Sequence, residues 1–136
     1  MFKNIENFIR GKVLFDEPMS KHTSYGIGGP AKAYITPSDK EDLKSILKYS
    51  TENNVPTFFV GSGSNLLVSD EGIDGLVITL GRSFNNLEIN NNKVFAQTGV
   101  MLGKMVKECI KRNLSGVESL VGVPGTLGGA LIMNAG

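Results

Sequence analysis

The sequence predicts a mixed fold of helices and strands, α/β or α+β with mixed sheets, on three observations. Apolar residues recur at helical spacing around 43–47 and 102–110; short apolar runs suited to strands recur at 31–36, 57–60 and 76–78; and glycine clusters interrupt the chain near those runs. Composition agrees, with 40% hydrophobic and 20% charged residues in a 136-residue chain, enough for one domain with a real core. Glycine is the outlier: 17 residues, well above the ~7% that is usual.

The elements follow in order. Ile5, Phe8 and Ile9 suit a short helix ending at Arg10, and Gly11 to Phe15 suit a brief strand. After the loop Gly26-Ile27-Gly28-Gly29-Pro30, residues Ala31 to Thr36 alternate as a strand. Ser38-Asp39-Lys40-Glu41 reads as a capping box with Ser38 as the cap, opening a helix along Leu43, Ile46 and Leu47 that frays at Asn53-Asn54. Thr57 to Val60 reads as a buried strand, and Leu66 to Val68 and Leu76 to Ile78 as two more. Leu87 to Ile89 and Val94 to Ala96 flank Asn90-Asn91-Asn92-Lys93, the chemistry of a hairpin turn. Leu102, Met105, Val106, Cys109 and Ile110 define the clearest helix, with Gly116 as terminator.

Several function classes are disfavoured. A formal net charge of +1 lacks the clustered cationic surplus that nucleic acid requires. No apolar run approaches the ~20 residues of a bilayer span, so no membrane partner is expected. The start of the chain has no signal-peptide pattern, and the expected location is cytoplasmic. Single Cys109 and His22 rule out a Cys- or His-rich metal cage. Cys109 belongs to the core face of its helix, and His22, with no carboxylate near it in sequence, reads as a surface or capping residue. Asp70, Glu71 and Asp74 read as a solvated loop, and Lys40, Lys44 and Lys48 as a solvated helix face.

The glycine clusters are where chemistry is expected. Gly61-Ser62-Gly63-Ser64-Asn65 follows an apolar strand, and its spacing lets successive N–H groups converge on an anion, with the serines and Asn65 adding donors. It completes neither G-x-G-x-x-G, since position 66 is Leu, nor a Walker A loop, and a plain strand-to-turn connection remains the alternative. From Gly122 to Gly136 no side chain is charged, although glycine inside a regular element costs roughly 0.5–1 kcal/mol relative to alanine. That segment suits either close approach to a bulky ligand or tight packing of two backbones. Gly26 to Pro30, preceded by His22 to Tyr25, offers a third face of the same pocket or merely a loop entering a strand.

Three segments together, His22-Thr23-Ser24-Tyr25-Gly26-Ile27-Gly28-Gly29-Pro30-Ala31, Val60-Gly61-Ser62-Gly63-Ser64-Asn65-Leu66-Leu67 and Gly122-Val123-Pro124-Gly125-Thr126-Leu127-Gly128-Gly129-Ala130-Leu131-Ile132-Met133-Asn134-Ala135-Gly136, resemble the UDP-N-acetylenolpyruvoylglucosamine reductase family in order and spacing. The resemblance implies an α+β, FAD-binding fold of the vanillyl-alcohol oxidase type, with FAD between two small α/β subdomains, here 1–80 and 81–136. It implies that Gly61, Ser62, Gly63, Ser64, Asn65 and Leu66 bind the pyrophosphate end of FAD. Gly122, Val123, Pro124, Gly125, Gly128, Gly129, Asn134 and Gly136 would approach the ribityl chain and ring, and Tyr25 joins the cofactor-binding set.

In that family NADPH reduces the flavin, which passes hydride to the enolpyruvyl double bond of a UDP-sugar to give UDP-N-acetylmuramate for peptidoglycan. The family's catalytic arginine, serine and glutamate have no counterpart up to Gly136, so no catalytic residue is assigned here, and no metal. The implied reading is the FAD-binding portion of the enzyme, truncated at Gly136, lacking the substrate domain and inactive alone, with uncovered apolar surface that favours self-association. A stand-alone FAD- or nucleotide-binding module without catalysis is the alternative. Gly26, where relatives often carry a basic residue, and Leu131, where many have proline or a small residue, depart from the family pattern.

Overall fold

Four strands form one sheet in the order β1-β2-β4-β3: β1 (Lys12–Pro18), β2 (Pro30–Thr36), β3 (Thr57–Val60) and β4 (Ile73–Thr79). The structure is a computed structural model that describes residues 2 and 4–136; Met1 and Lys3, at the head of the expected first subdomain, lie outside the described residues. β1 runs antiparallel to β2, whereas β2, β4 and β3 are mutually parallel. Helix α1 (Lys40–Glu52) makes the crossover from β2 to β3, and β4 then enters between them.

The central strands are covered on both faces. Leu76 and Ile78 of β4 pack with Ala33, Ile35 and the α1 residues Ile46 and Tyr49, while Val77 points into a second cluster of Met19, Ala31, Tyr34 and Val68. A register shift between Ala31 and Ala33 puts these two residues into opposite clusters.

A smaller body follows. The hairpin β5 (Leu87–Asn90) and β6 (Lys93–Ala96) turns at Asn91, whose φ of 54° is the left-handed conformation expected of asparagine there. Helix α2 (Leu102–Lys111) buries Leu102, Met105 and Cys109 in a cluster flanked by Leu87 and Ile89 of the hairpin and by Leu120, Val123 and Leu127. The charge-free glycine segment ends in the short helix α3 (Leu127–Ile132).

Some expectations need correction. The N-terminal helix is only a 3-10 turn, Ile5–Asn7; Ile5 is buried but Phe8 is exposed, and one turn is too short to sustain an α-helix. The first strand extends from Lys12 to Pro18. The cap of α1 is Asp39, which accepts the Asp42 N–H, whereas Ser38 donates its N–H and hydroxyl to Asp42. Thr57 to Val60 is a strand but not a buried one, because it lies at the sheet edge with Phe58 and Phe59 about half exposed. Leu66 to Val68 joins no ladder: Val68 is buried by the sheet while Leu67 faces out. Helix α2 stops at Lys111, before the left-handed Asn113 (φ 57°), not at Gly116. Leu47 and Ile110, expected on the buried faces of their helices, lie at exposed margins.

Candidate functional site

A cleft of about 770 Å³ runs between the end of β3 and the glycine segment that carries α3. One wall is the loop Gly61 to Leu66, the other Val123 to Thr126 and the turns of α3 from Gly128 to Met133. Leu80-Gly81 and Thr98-Gly99 form the floor where the two bodies meet. No lining residue is charged.

The wall formed by Gly61 to Leu66 is braced by backbone contacts. Gly63, with φ of 74°, lies so close to the carbonyl oxygen of His22 that a Cβ there would overlap it, and its own carbonyl accepts the Ser24 N–H at 3.0 Å. Segment 22–24 therefore props the loop from behind. None of the N–H groups of Ser62, Gly63, Ser64 and Asn65 donates to another backbone carbonyl among the described residues, and only the Ser62 hydroxyl, donating to Ser64 Oγ at 3.3 Å, makes a side-chain bond within the loop. A run of four uncommitted backbone donors after a strand is what an anion-binding concavity requires.

On the opposite wall the first N–H groups of α3 are already engaged. At the start of α3, the Leu127 N–H donates to Val100 O (2.8 Å), the Gly128 N–H to Thr98 O (2.9 Å), and the Gly129 N–H to Thr126 Oγ1 (3.3 Å). Thr126 is buried and also faces Gly61, where an added Cβ would come within 2.5 Å of its hydroxyl. The two walls nearly touch at Gly125, whose position would bring a Cβ to 3.0 Å from Ser64 Oγ. Farther along, Leu131 and Ile132 are strongly exposed and make the wall apolar.

Sequence expectations divide accordingly. Gly61, Ser62, Gly63, Ser64, Asn65 and Leu66 line the cleft together with Val123, Pro124, Gly125, Gly128 and Gly129. Gly122, Asn134 and Gly136 do not line it, although they flank residues that do. Tyr25 does not line it either; it is exposed on the propping loop, and Gly26 to Pro30 forms no face of the cleft: that loop is tied instead to the turn before β4, through the Gly29 N–H to Ser69 O bond (2.8 Å). Thr98, Gly99, Leu80, Gly81 and Thr126 were missed. The threonine-glycine pairs 98–99 and 126–128 were a usable signal, since small residues after an element allow backbones to meet.

His22 caps the 3-10 turn Met19–Lys21 as expected, but it does have a carboxylate beside it. Its Nε2 meets Glu17 Oε1 at 3.0 Å and its ring stacks on Tyr34 with centroids 4.0 Å apart. The His22 hydrogen bond, with the nearby Lys21, holds the Glu17 carboxyl below the usual range, whereas burial pushes the Tyr34 hydroxyl up. Cys109 is buried in its helix face as expected, and Asp70, Glu71 and Asp74 are exposed. Among the described residues no group of three or more His, Cys, Asp or Glu is placed to hold a metal ion, and no helix is long and apolar enough to cross a membrane.

Residues 31–136 match the family described as FAD binding domain. The UDP-N-acetylenolpyruvoylglucosamine reductase of Clostridioides difficile is 44% identical over all of this chain and 45% of its own length. That of Alkaliphilus oremlandii is 46% identical over 91% of this chain and 41% of its own. The chain thus spans less than half the length of these curated relatives. The crystal structure of the Thermus caldophilus reductase superposes with a TM-score of 0.73 at 36% identity, over 95% of this chain and 44% of that one. A cholesterol oxidase from Brevibacterium sterolicum, at 17% identity, shares the fold with a TM-score of 0.65. The matched family spans most of the chain, and the structural likeness fits the α+β architecture of the vanillyl-alcohol oxidase type. The chain belongs to the FAD-binding domain family.

Proposed function

We propose that this chain is the FAD-binding part of an NADPH-dependent reductase that converts UDP-N-acetylglucosamine enolpyruvate to UDP-N-acetylmuramate in peptidoglycan synthesis. The observation that carries the proposal is the asymmetric cleft, with uncommitted donors on one wall and an uncharged glycine-rich wall opposite. Relatives at 40–46% identity bear the name of that reductase, which does not favour a stand-alone nucleotide module.

The residues present fit FAD. Its pyrophosphate needs several donors without a competing carboxylate, and the N–H groups of Ser62 to Asn65 with two hydroxyls supply them. Its flat ring needs backbone that a side chain does not shield, and Gly125, Gly128 and Gly129 supply that. A cleft of about 770 Å³ lies within the range that encloses such ligands. On this reading Gly61 to Leu66 hold the pyrophosphate, while Val123 to Gly129, flanked by Gly122, Asn134 and Gly136, face the ribityl chain and ring. Tyr25 acts only through the propping loop. The bound flavin supplies hydride transfer; this chain's own residues bind it, orient it and exclude water from its buried face.

Subdomains 1–80 and 81–136 clamp the cofactor between them, NADPH is the reductant and a UDP-sugar the substrate of the whole enzyme, acting in the cytoplasm. The chain alone turns nothing over. Reconstitution with FAD tests the reading: the expected result is a bound-flavin absorbance spectrum with no NADPH-dependent product. A protein that stays colourless, or one that forms product unaided, overturns the corresponding part. Leu131, Ile132 and Met133, consecutive and exposed at the end of α3, favour self-association, to be seen as a dimer in sedimentation; a monodisperse monomer refutes it.

A further inference from the structure

The donor loop Ser62 to Asn65 is shaped by a second loop that does not line the cleft. The two legs of that second loop are paired by the Met19 N–H to Gly29 O (3.0 Å) and Ser20 N–H to Gly28 O (3.2 Å) bonds. Beyond them its tip closes on itself, through the Gly26 N–H to Thr23 O bond (3.1 Å) and the Thr23 hydroxyl on Ile27 O (2.9 Å). Ser24, Tyr25 and Ile27 are exposed, so the tip buries little apolar surface of its own. Its contact with the donor loop is made by backbone: His22 O lies where a Gly63 Cβ would stand, and the Ser24 N–H donates to Gly63 O at 3.0 Å.

The His22 side chain ties this tip to the sheet. Its Nε2 lies 3.0 Å from Glu17 Oε1 on β1, and its ring stacks on Tyr34 of β2 with the planes 18° apart. Tyr34 is buried and the Glu17 side chain is only 13% exposed, so both partners belong to the sheet rather than to the loop. The Glu17 carboxyl is held below its usual range, first by the His22 bond itself, and as an anion it can only accept. The hydrogen therefore sits on Nε2, which donates whether the ring is neutral or charged. Lys21 Nζ stands 3.6 Å from the other carboxylate oxygen, but its side chain is 62% exposed and such a pair adds little.

We propose that His22 is a positioning residue for the flavin phosphates: Glu17 and Tyr34 fix its imidazole, and the backbone of 22–24 then holds the donor loop in the shape that presents its N–H groups. The donor loop cannot hold that shape alone, since its one internal side-chain bond is the Ser62 to Ser64 contact at 3.3 Å. Donors aimed before the ligand arrives bind it without an ordering cost. The consequence for FAD rests on the flavin reading of the cleft; the consequence for the loop does not.

Two sets of measurements on the 136-residue chain separate these consequences. Without ligand, hydrogen exchange of the Ser24 N–H and the amide NMR shifts of residues 62–65 read the anchor. Dissociation constants for FAD, and for riboflavin, which lacks the pyrophosphate, read its effect on binding. In His22→Ala the Ser24 N–H is expected to exchange about tenfold faster and the 62–65 shifts to move, with Tm lowered by no more than a few degrees. FAD affinity falls about fivefold, the scale of one hydrogen bond to a charged group at a partly exposed site, and riboflavin affinity is unchanged. Glu17→Ala reproduces these effects if His22→Ala does not fold, and Glu17→Gln, which keeps an acceptor for Nε2–H, restores them toward the parent chain. Faster exchange in a chain that takes no FAD upholds the anchor and overturns the flavin reading. Unchanged exchange and FAD affinity in both alanine variants overturn the proposal. So does an equal loss for FAD and riboflavin with a large fall in Tm, or a Glu17→Gln chain as defective as Glu17→Ala.

Discussion

The two glycine-rich walls of the cleft look alike in sequence and differ in what their backbones have left to offer. Gly61 to Asn65 leaves four consecutive N–H groups uncommitted, because the loop turns away from the β3 ladder and is propped through the His22 and Gly63 carbonyls. Thr126 to Gly129 has the same small residues, but its first-turn N–H groups are already taken by Val100, Thr98 and Thr126. Glycine content alone therefore does not locate an anion site; unspent donors do. On the proposed reading the phosphates belong to the first wall, with its longer run of free donors, and the second offers mainly a flat, uncharged surface.

The largest expected effect tests the first wall. Gly63→Ala places a Cβ against the His22 carbonyl at a φ of 74°, so we expect a loss of about 3 kcal/mol of stability and no flavin retained. Denaturant unfolding and flavin absorbance measure the two. A protein that keeps both shows that the loop is not held by this contact.

Acid comes next and separates cleft from scaffold. Burial pushes the Asp42 carboxyl up, but the N–H groups of Ser38, Arg10 and Gly11 and the Ser38 hydroxyl outweigh it and hold the group below the usual range. The Asp42 N–H and the Arg10 guanidinium do the same for Asp39. In the unfolded chain such carboxyls titrate near about 3.9. Their stabilisation is therefore complete above that value and is lost as pH falls through the depressed folded value. Tm should decline in acid, while FAD affinity stays flat between about pH 5 and 8, since neither wall titrates. Asp42→Ala, which strands three backbone donors, should cost about 2 kcal/mol at neutral pH. A pH-dependent FAD affinity over that range would implicate a charged group the cleft does not contain.

Smaller effects distinguish the walls directly. Thr126→Val removes the α3 cap and should cost about 1 kcal/mol of stability while leaving FAD affinity nearly unchanged. Ser62→Ala should do the reverse, weakening FAD by about fivefold with no change in Tm, because Ser62 is exposed and pairs only with Ser64. If the two variants exchange these phenotypes, the assignment of phosphate to the first wall is wrong.

Periodicity made both long helices and the central strands legible, because burial on one face leaves a local signature, and turn chemistry did the same for the hairpin. The reading failed where a local pattern admitted two partners. Ser38 and Asp39 are both good caps; Asp39 holds the position with the Arg10 side chain arriving from 29 residues away, while the Ser38 hydroxyl is committed to Asp42. Phe58-Phe59 looked buried because hydrophobicity does not reveal edge position. His22 acquired its carboxylate from Glu17, five residues back, because the 3-10 turn Met19–Lys21 folds the two together.

The sequence by itself determined the two long helices, the hairpin and the central strands, the three glycine clusters and the absence of charge from 122 to 136. Those properties are local, set by backbone sterics and by the period with which apolar residues recur. Which cluster offers donors, and which stays out of the cleft, was decided by tertiary structure alone. A backbone N–H becomes available or spent only when a distant carbonyl reaches it, and no stretch of sequence encodes that meeting by itself.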